Sequence, residues 1–223
     1  YLIEATFNTA TVRCALKEFP TATWTSPWRD DSQSAFTTER FAVSVGRKPA
    51  VAGKIPIQLG QGRAFGDGRH VTTRLCLQVL EQMELSRGTF LDVGCGNGIL
   101  SIAAAKLSCA RVIGTEIDES ILTEARANAA LNLVAVEWRC EDRPQALEGK
   151  CDVVVANILW PGFRDLLPDL TACLRHSGML ILAGYNVRDR DDVNEAVVVA
   201  DREMRFVNAH EESGWLAGIW RYP

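Results

Sequence analysis

Residues 90–101, Phe-Leu-Asp-Val-Gly-Cys-Gly-Asn-Gly-Ile-Leu-Ser, combine types and spacing that can do chemistry. The apolar run 89–93 predicts a buried strand, Gly94, Gly96 and Gly98 end it, and the alanine-rich stretch 99–107 predicts a helix. Glycines between a strand end and a helix start let the backbone pass close to a ligand, beside the positive end of the helix dipole. The spacing is G-x-G-x-G, with Ile99 where the dinucleotide fingerprint needs its last glycine. That departure weakens a nicotinamide or flavin reading. It favours S-adenosylmethionine, whose carboxypropyl and ribose groups lie along such a loop. A tight turn without a ligand is the alternative for this loop alone.

Three further segments bear on that choice. Glu116 follows Gly96 by the roughly twenty residues at which an acidic side chain can accept hydrogen bonds from both ribose hydroxyls. A solvated strand end or a helix cap is its alternative, although Asp118 is better placed to cap the next helix. The run Asp152-Val153-Val154-Val155-Ala156-Asn157-Ile158-Leu159-Trp160-Pro161 predicts a buried strand that delivers an amide to the C-terminal edge of a sheet. Ligands of open α/β sheets bind at that edge. The carbonyl of Asn157 can accept a hydrogen bond from an amine and aim its lone pair at a methyl group; a turn before Pro161 is the other reading. Lastly, Phe65-Gly66-Asp67-Gly68-Arg69-His70-Val71-Thr72-Thr73 sets polar side chains at a helix start, which suits a cofactor carboxylate or simply caps the helix.

Regular strand–helix alternation must position these groups. Apolar residues Leu75, Val79 and Met83 recur at i, i+4, i+8 and predict a helix over 71–85. Strands are predicted at 90–93, 111–117, 134–140, 152–156, 179–183, 206–210 and 215–222, with helices at 99–107, 119–131, 163–175 and 191–203. This is an α/β pattern, a doubly wound, mainly parallel seven-stranded sheet covered on both faces. The last two strands, split by Glu211-Glu212-Ser213-Gly214, predict an antiparallel edge hairpin. Residues 1–58 differ in rhythm and predict a small β-containing appendage, joined through 46–53 to a main domain over 59–223.

The chain has 223 residues, 47% hydrophobic, with a formal net charge of −4, which does not suit a non-specific nucleic-acid binder. Its seven cysteines are scattered without a C-x-x-C pair, so reduced thiols in a cytoplasmic protein are expected, with no metal. No apolar run approaches the ~20 residues of a membrane span, and no signal peptide opens the sequence. The first residue is Tyr1 rather than methionine, which leaves an upstream segment open.

Residues 63–222 resemble the catalytic domain of the bacterial methyltransferases that act on ribosomal protein eleven of the large subunit, within the class I S-adenosylmethionine-dependent methyltransferases. The resemblance rests on Ala64-Phe65-Gly66-x-Gly68-x-His70-x-Thr72-Thr73, on Leu91-Asp92-Val93-Gly94-Cys95-Gly96-Asn97-Gly98-Ile99-Leu100-Ser101, on Asn157-Ile158-Leu159 and on Gly214-Trp215. It implies that Thr73, Gly94, Glu116 and Asn157 contact the cofactor or line the transfer site. Phe65 and His70 would help close over it, and Glu141 and Asp142 would approach the adenine. Asp92, Gly96 and Ile117 complete the candidate cofactor set; Asn157, Asp67 and His70 are the candidate catalytic residues. The family uses Asp where Glu116 stands, and a threonine where Asp67 places a carboxylate that could hold a cationic acceptor, take its proton, or remain a solvated loop charge. Residues 1–58 do not read as the family's larger N-terminal domain. The expected reaction is methylation of a protein amine, a lysine side chain or N-terminus. The alternative is a small-molecule N- or O-methyltransferase with residues 1–58 as a lid and Trp24, Trp28 and Trp160 around the pocket. A non-catalytic cofactor-binding scaffold is a third reading.

Overall fold

Strands whose successive residues serve two different apolar faces organise this chain. The computed structural model describes residues 2–7, 10–15, 35–66, 68 and 70–223. They form two compact units, Tyr1–Gln33 and Ser34–Pro223. In the first, β1 (Leu2–Phe7) and β2 (Ala10–Ala15) pair antiparallel, from Leu2 opposite Ala15 to Phe7 opposite Ala10.

The second unit opens with a three-stranded sheet. β3 (Ala35–Thr37) lies antiparallel to β4 (Phe41–Val45), which pairs in parallel with β5 (Ile55–Leu59). Helix α1 (Val71–Leu80) follows. Then come β6 (Thr89–Val93), α2 (Ile99–Lys106), β7 (Arg111–Glu116), α3 (Glu119–Leu131), β8 (Glu137–Cys140) and β9 (Cys151–Asn157). Two short helices, α4 (Trp160–Arg164) and α5 (Leu167–Cys173), lead to the long strand β10 (Leu174–Asn186). Helix α6 (Arg190–Ala200) and the hairpin β11 (Arg205–Glu212) and β12 (Trp215–Arg221) complete the chain.

The large sheet has the order β11-β12-β10-β9-β6-β7-β8. Five strands run parallel, and β12 joins β10 antiparallel with β11 outside it, which is the expected edge hairpin. Phe90, Val153, Val155 and Ile181 enter one core with α1 and α2; Leu91, Val154, Leu180 and Leu182 enter the other with α5 and α6. Both faces are therefore covered, as the near-continuous valine runs demand. The chain leaves β6 toward β7 on one side and returns through β9 on the other. A crevice opens at such a switch point, outside the C-terminal ends of the strands.

Two expectations change. The sequence predicts an appendage over 1–58, whereas the chain divides into its compact units between Gln33 and Ser34. The reason is packing: Phe41, Val43, Ile57 and Leu59 are buried in the core that holds α1 and α2. Alternation in Phe41–Val45 reveals a half-buried strand but not whose core buries it. The turn before β4 is also held by α1's end, where buried Glu81 accepts hydrogen bonds from Thr38 Oγ1 (2.7 Å) and the Arg40 N–H (2.9 Å). Second, the helix expected over 163–175 is two helices. Pro161 and Pro168 each stand in a first helical turn, where a missing N–H costs nothing, and the chain restarts at each.

A candidate methyl-transfer cleft

The crevice is a cleft of about 750 Å3 at the C-terminal ends of β6, β7 and β9. Its floor is the glycine loop. Gly94 (φ 65°) and Gly96 (φ 54°) hold left-handed conformations that strain other residues. A Cβ on Gly94 would stand 2.7 Å from Ile158 Cδ1, and one on Gly96 would stand 2.6 Å from the Phe65 carbonyl oxygen. The glycines thus serve first to bring three segments of the chain together. The loop's N–H groups face protein: Gly96 donates to Glu116 Oε2 (3.1 Å) and Asn97 to the Phe65 carbonyl (3.0 Å).

Glu116 ends β7 and lines the cleft, its second oxygen accepting from the Ile117 N–H (3.0 Å). A third, longer bond comes from the Asp118 N–H (3.5 Å), and a carboxylate has lone pairs beyond these three, so it keeps capacity for a ligand. Glu141 and Asp142 lie just past β8 on the same lining. Oε1 of Glu141 is buried without a hydrogen bond; Arg139 Nη1 is 4.0 Å away, within ion-pair range but beyond hydrogen-bond reach. At the end of β9, Asn157 Oδ1 is likewise buried with no partner. A buried acceptor left unpaired costs roughly 1–3 kcal/mol, so two on one cleft point to a ligand that donates.

His70 caps α1. Its Nδ1 accepts from the Thr72 N–H (3.4 Å) and lies 2.8 Å from Thr72 Oγ1. Its ring lies 4.8 Å from Trp215 and 5.5 Å from Phe65, between centroids. Desolvation first, then the Arg74 charge, hold the imidazole below its ordinary pKa. The depressed value has a defined sign. The unfolded chain binds the proton more readily, so the cap's contribution is full above the ordinary histidine value of about 6.5 and is lost as pH falls through the lower folded value. The midpoint of thermal unfolding is therefore expected to drop more steeply below that pH in the wild type than in His70→Asn, which keeps a cap acceptor that does not titrate. Parallel curves for the two proteins would exclude the capping role.

The cleft thus gathers Phe65, His70, Gly94, Gly96, Glu116, Ile117, Glu141, Asp142 and Asn157 from the sequence-derived set. Two others stand elsewhere. Thr72 lines the cleft where Thr73 was expected; Thr73 is fully buried and its Oγ1 lacks a protein partner. Asp92 lies buried beneath the loop, with Oδ2 accepting from Ser101 N (3.0 Å) and Oγ (2.7 Å), and burial pushes its carboxyl up to about 7. It braces the loop against α2 and does not line the cleft. Asp67, Trp24 and Trp28 fall outside the described residues. Trp160 faces a neighbouring groove with Arg164 and Glu195 rather than the cleft.

Sequence reasoning missed Arg143, Asp165, Leu159 and Gly184, which also line it. Gly184 had a signal: a glycine inside a strand marks a bulge or a close backbone approach. Here the β10–β12 register shifts between Ala183 and Tyr185, and a Cβ on Gly184 would strike the Ile158 carbonyl.

Carboxylates outnumber cations on this lining. Glu116, Glu141, Asp142 and Asp165 face Arg143, itself paired with Asp169. Apolar walls from Phe65, Val93, Ile117, Ile121 and Ile158 complete it. An amphipathic cation with hydroxyl and amine donors fits that chemistry, and S-adenosylmethionine is such a molecule.

The family model described as ribosomal protein L11 methyltransferase (PrmA) matches residues 2–221. The chain belongs to that family. The match extends the resemblance, expected over 63–222, back across the N-terminal unit. A ribosomal protein L11 methyltransferase of Caldanaerobacter subterraneus subsp. tengcongensis is 35% identical over 214 residues, covering 94% of this chain and 68% of the relative. One from Symbiobacterium thermophilum is 36% identical over 171 residues, 77% of this chain and 56% of its own length. The chain thus spans little more than half to two thirds of these L11 methyltransferases. A solved ribosomal protein L11 methylase of Lactobacillus delbrueckii subsp. bulgaricus superposes with a TM-score of 0.75 at 28% identity, covering 83% of this chain and 97% of that one. The fold is that of the class I S-adenosylmethionine-dependent methyltransferases. Among the described residues no helix is long and apolar enough to cross a membrane, and no cluster of three His, Cys, Asp or Glu could hold a metal.

Proposed function

We propose that this chain is an S-adenosylmethionine-dependent methyltransferase whose acceptor is an amine of a protein, ribosomal protein L11 being the candidate that its relatives' names supply. The observation that carries this reading is the buried, unpartnered Oδ1 of Asn157 in an acidic cleft next to a glycine loop. S-adenosylmethionine supplies, when bound, a methyl group on a cationic sulfur that is intrinsically ready to leave. The protein's work is positioning and exclusion of water. Glu116 would accept hydrogen bonds from the ribose hydroxyls, Ile117 and Ile121 would give the adenine an apolar wall, and Glu141 Oε1 would accept from an amine donor of the cofactor. Asn157 Oδ1 accepts an N–H of the incoming neutral amine and directs its lone pair along the transfer line. An ammonium must first lose a proton, to water or to a carboxylate such as Asp67.

Three exposed apolar residues on the lining favour a polypeptide over an enclosed small acceptor. Phe65, Ile117 and Leu159 are 52%, 71% and 63% exposed, an apolar rim of the kind a polypeptide can lie across. The unit Tyr1–Gln33 is then assigned to acceptor recognition, and the reaction to the cytoplasm, where ribosomal proteins are met. Transfer of labelled methyl from S-adenosylmethionine tests this, with purified L11 and free lysine offered in parallel. Labelling of L11 at a lysine or its N-terminus is expected. Labelling of free lysine at equal efficiency would support the small-molecule reading, and no transfer to either would leave the scaffold reading.

A further inference from the structure

Residues 60–66, which follow the edge strand β5, make no helix or strand, so their backbone N–H groups need partners from elsewhere. One face of α3 supplies them. Glu124 and Asn128 of α3 and Asn132 at its C-cap stand at i, i+4 and i+8, on one side of the helix. Asn132 accepts from the Gln58 N–H (3.0 Å) and donates Nδ2 to the Gln58 carbonyl (2.6 Å). Asn128 accepts from the Gly60 N–H (2.8 Å) and donates Nδ2 to the Asn97 carbonyl (2.9 Å) of the glycine loop. Glu124 accepts from the N–H groups of Arg63 (3.1 Å) and Ala64 (3.0 Å). The next residue is Phe65, whose carbonyl holds the Asn97 N–H and whose ring lines the cleft beside His70.

None of these three side chains lines the cleft. Asparagine is a poor helix former, and Asn128 is only 4% exposed. Packing and helix propensity give no reason for it in the interior of α3. Two hydrogen bonds to two separate loops do, because one amide then fixes the glycine loop and residues 60–66 relative to each other.

We infer that Glu124 and Asn128 are positioning residues of the methyl-transfer site: they anchor residues 60–66 to α3 and the glycine loop, and so hold Phe65 over the cofactor side of the cleft. This rests on the methyltransferase reading above. Glu124 is the cleaner handle. It is half-buried, and its removal hands two loop N–H groups to water, whereas loss of Asn128 strands a buried carbonyl and threatens the fold.

The test compares the wild type with Glu124→Ala, Glu124→Gln, Phe65→Ala and the double variant Glu124→Ala/Phe65→Ala. In Glu124→Ala, the amides of Arg63 and Ala64 are expected to exchange with solvent roughly tenfold faster or more, with protection in β6 and α3 unchanged. Calorimetric dissociation constants for S-adenosylmethionine should rise about five- to tenfold in Glu124→Ala and in Phe65→Ala. They should recover in part in Glu124→Gln, which retains one acceptor. The double variant should be no worse than the weaker single one, because Glu124 acts through Phe65. Unchanged exchange, faster exchange with unchanged affinity, or additive losses in the double variant would each overturn the positioning role alone. Absence of S-adenosylmethionine binding by the wild type would instead overturn the methyltransferase reading, and the positioning role with it.

Discussion

Asn157→Ala is expected to lower the turnover of methyl transfer by roughly 10²–10³-fold, the cost of removing one pre-positioned polar group from a reacting centre. Affinity for S-adenosylmethionine should stay within about threefold, since the ribose and adenine are held by other residues. The split follows from geometry. Oδ1 is buried at the end of β9 with no protein partner, and β9 is held in register by β6 and β10 on its two sides. The acceptor is therefore rigid and already desolvated before an amine arrives. Its hydrogen bond gains most when the amine is aligned for attack, so kcat should suffer more than binding. Single-turnover assays at saturating cofactor, with parallel titration calorimetry, give both numbers. Full turnover in the variant would remove Asn157 from the mechanism; a loss confined to cofactor affinity would make it a binding residue only.

The second large effect is expected at Glu116. In Glu116→Ala the affinity for S-adenosylmethionine should fall about 10²-fold or more. Two charge-assisted hydrogen bonds to neighbouring hydroxyls are worth roughly 1.5–3 kcal/mol each, of which part is returned by water in the variant. The same carboxylate also receives the Gly96 N–H, so its removal loosens the loop floor as well. Glu116→Asp, which installs the residue expected at this place in the family, should retain binding within about tenfold of the wild type. Its shorter side chain keeps two acceptors while weakening the bond to Gly96. Equal affinities for wild type and Glu116→Ala, measured by calorimetry, would move the ribose site elsewhere.

The parts of this cleft that were legible in the sequence are those set by local rules. A strand, glycines and a helix in that order define the loop, and the distance to the next strand end locates Glu116. A valine run delivers Asn157 to the rim. Each depends on residues close together in the chain. What stayed hidden depends on contacts between distant segments. Phe41 and Ile57 look the same in sequence whether they bury in an appendage or in the main core, and the core they join is that of α1 and α2. Thr72 and Thr73 are adjacent, and only the docking of α1 decides which of them meets the cleft. Asp92 stands beside the glycines in sequence, yet strand alternation turns it beneath them to Ser101. Asp165 and Arg143 come from segments with no motif of their own. Glu124 and Asn128 read as ordinary polar positions of a surface helix until their partners 60 and 68 residues away are known.

The most direct test of the cofactor assignment is a parallel calorimetric titration of the unmodified protein with S-adenosylmethionine, its demethylated product and NAD. Binding of the first two in the micromolar range, with no heat from NAD, is the expected result. Binding of NAD in their place, or of none of the three, would contradict the assignment of this cleft to S-adenosylmethionine.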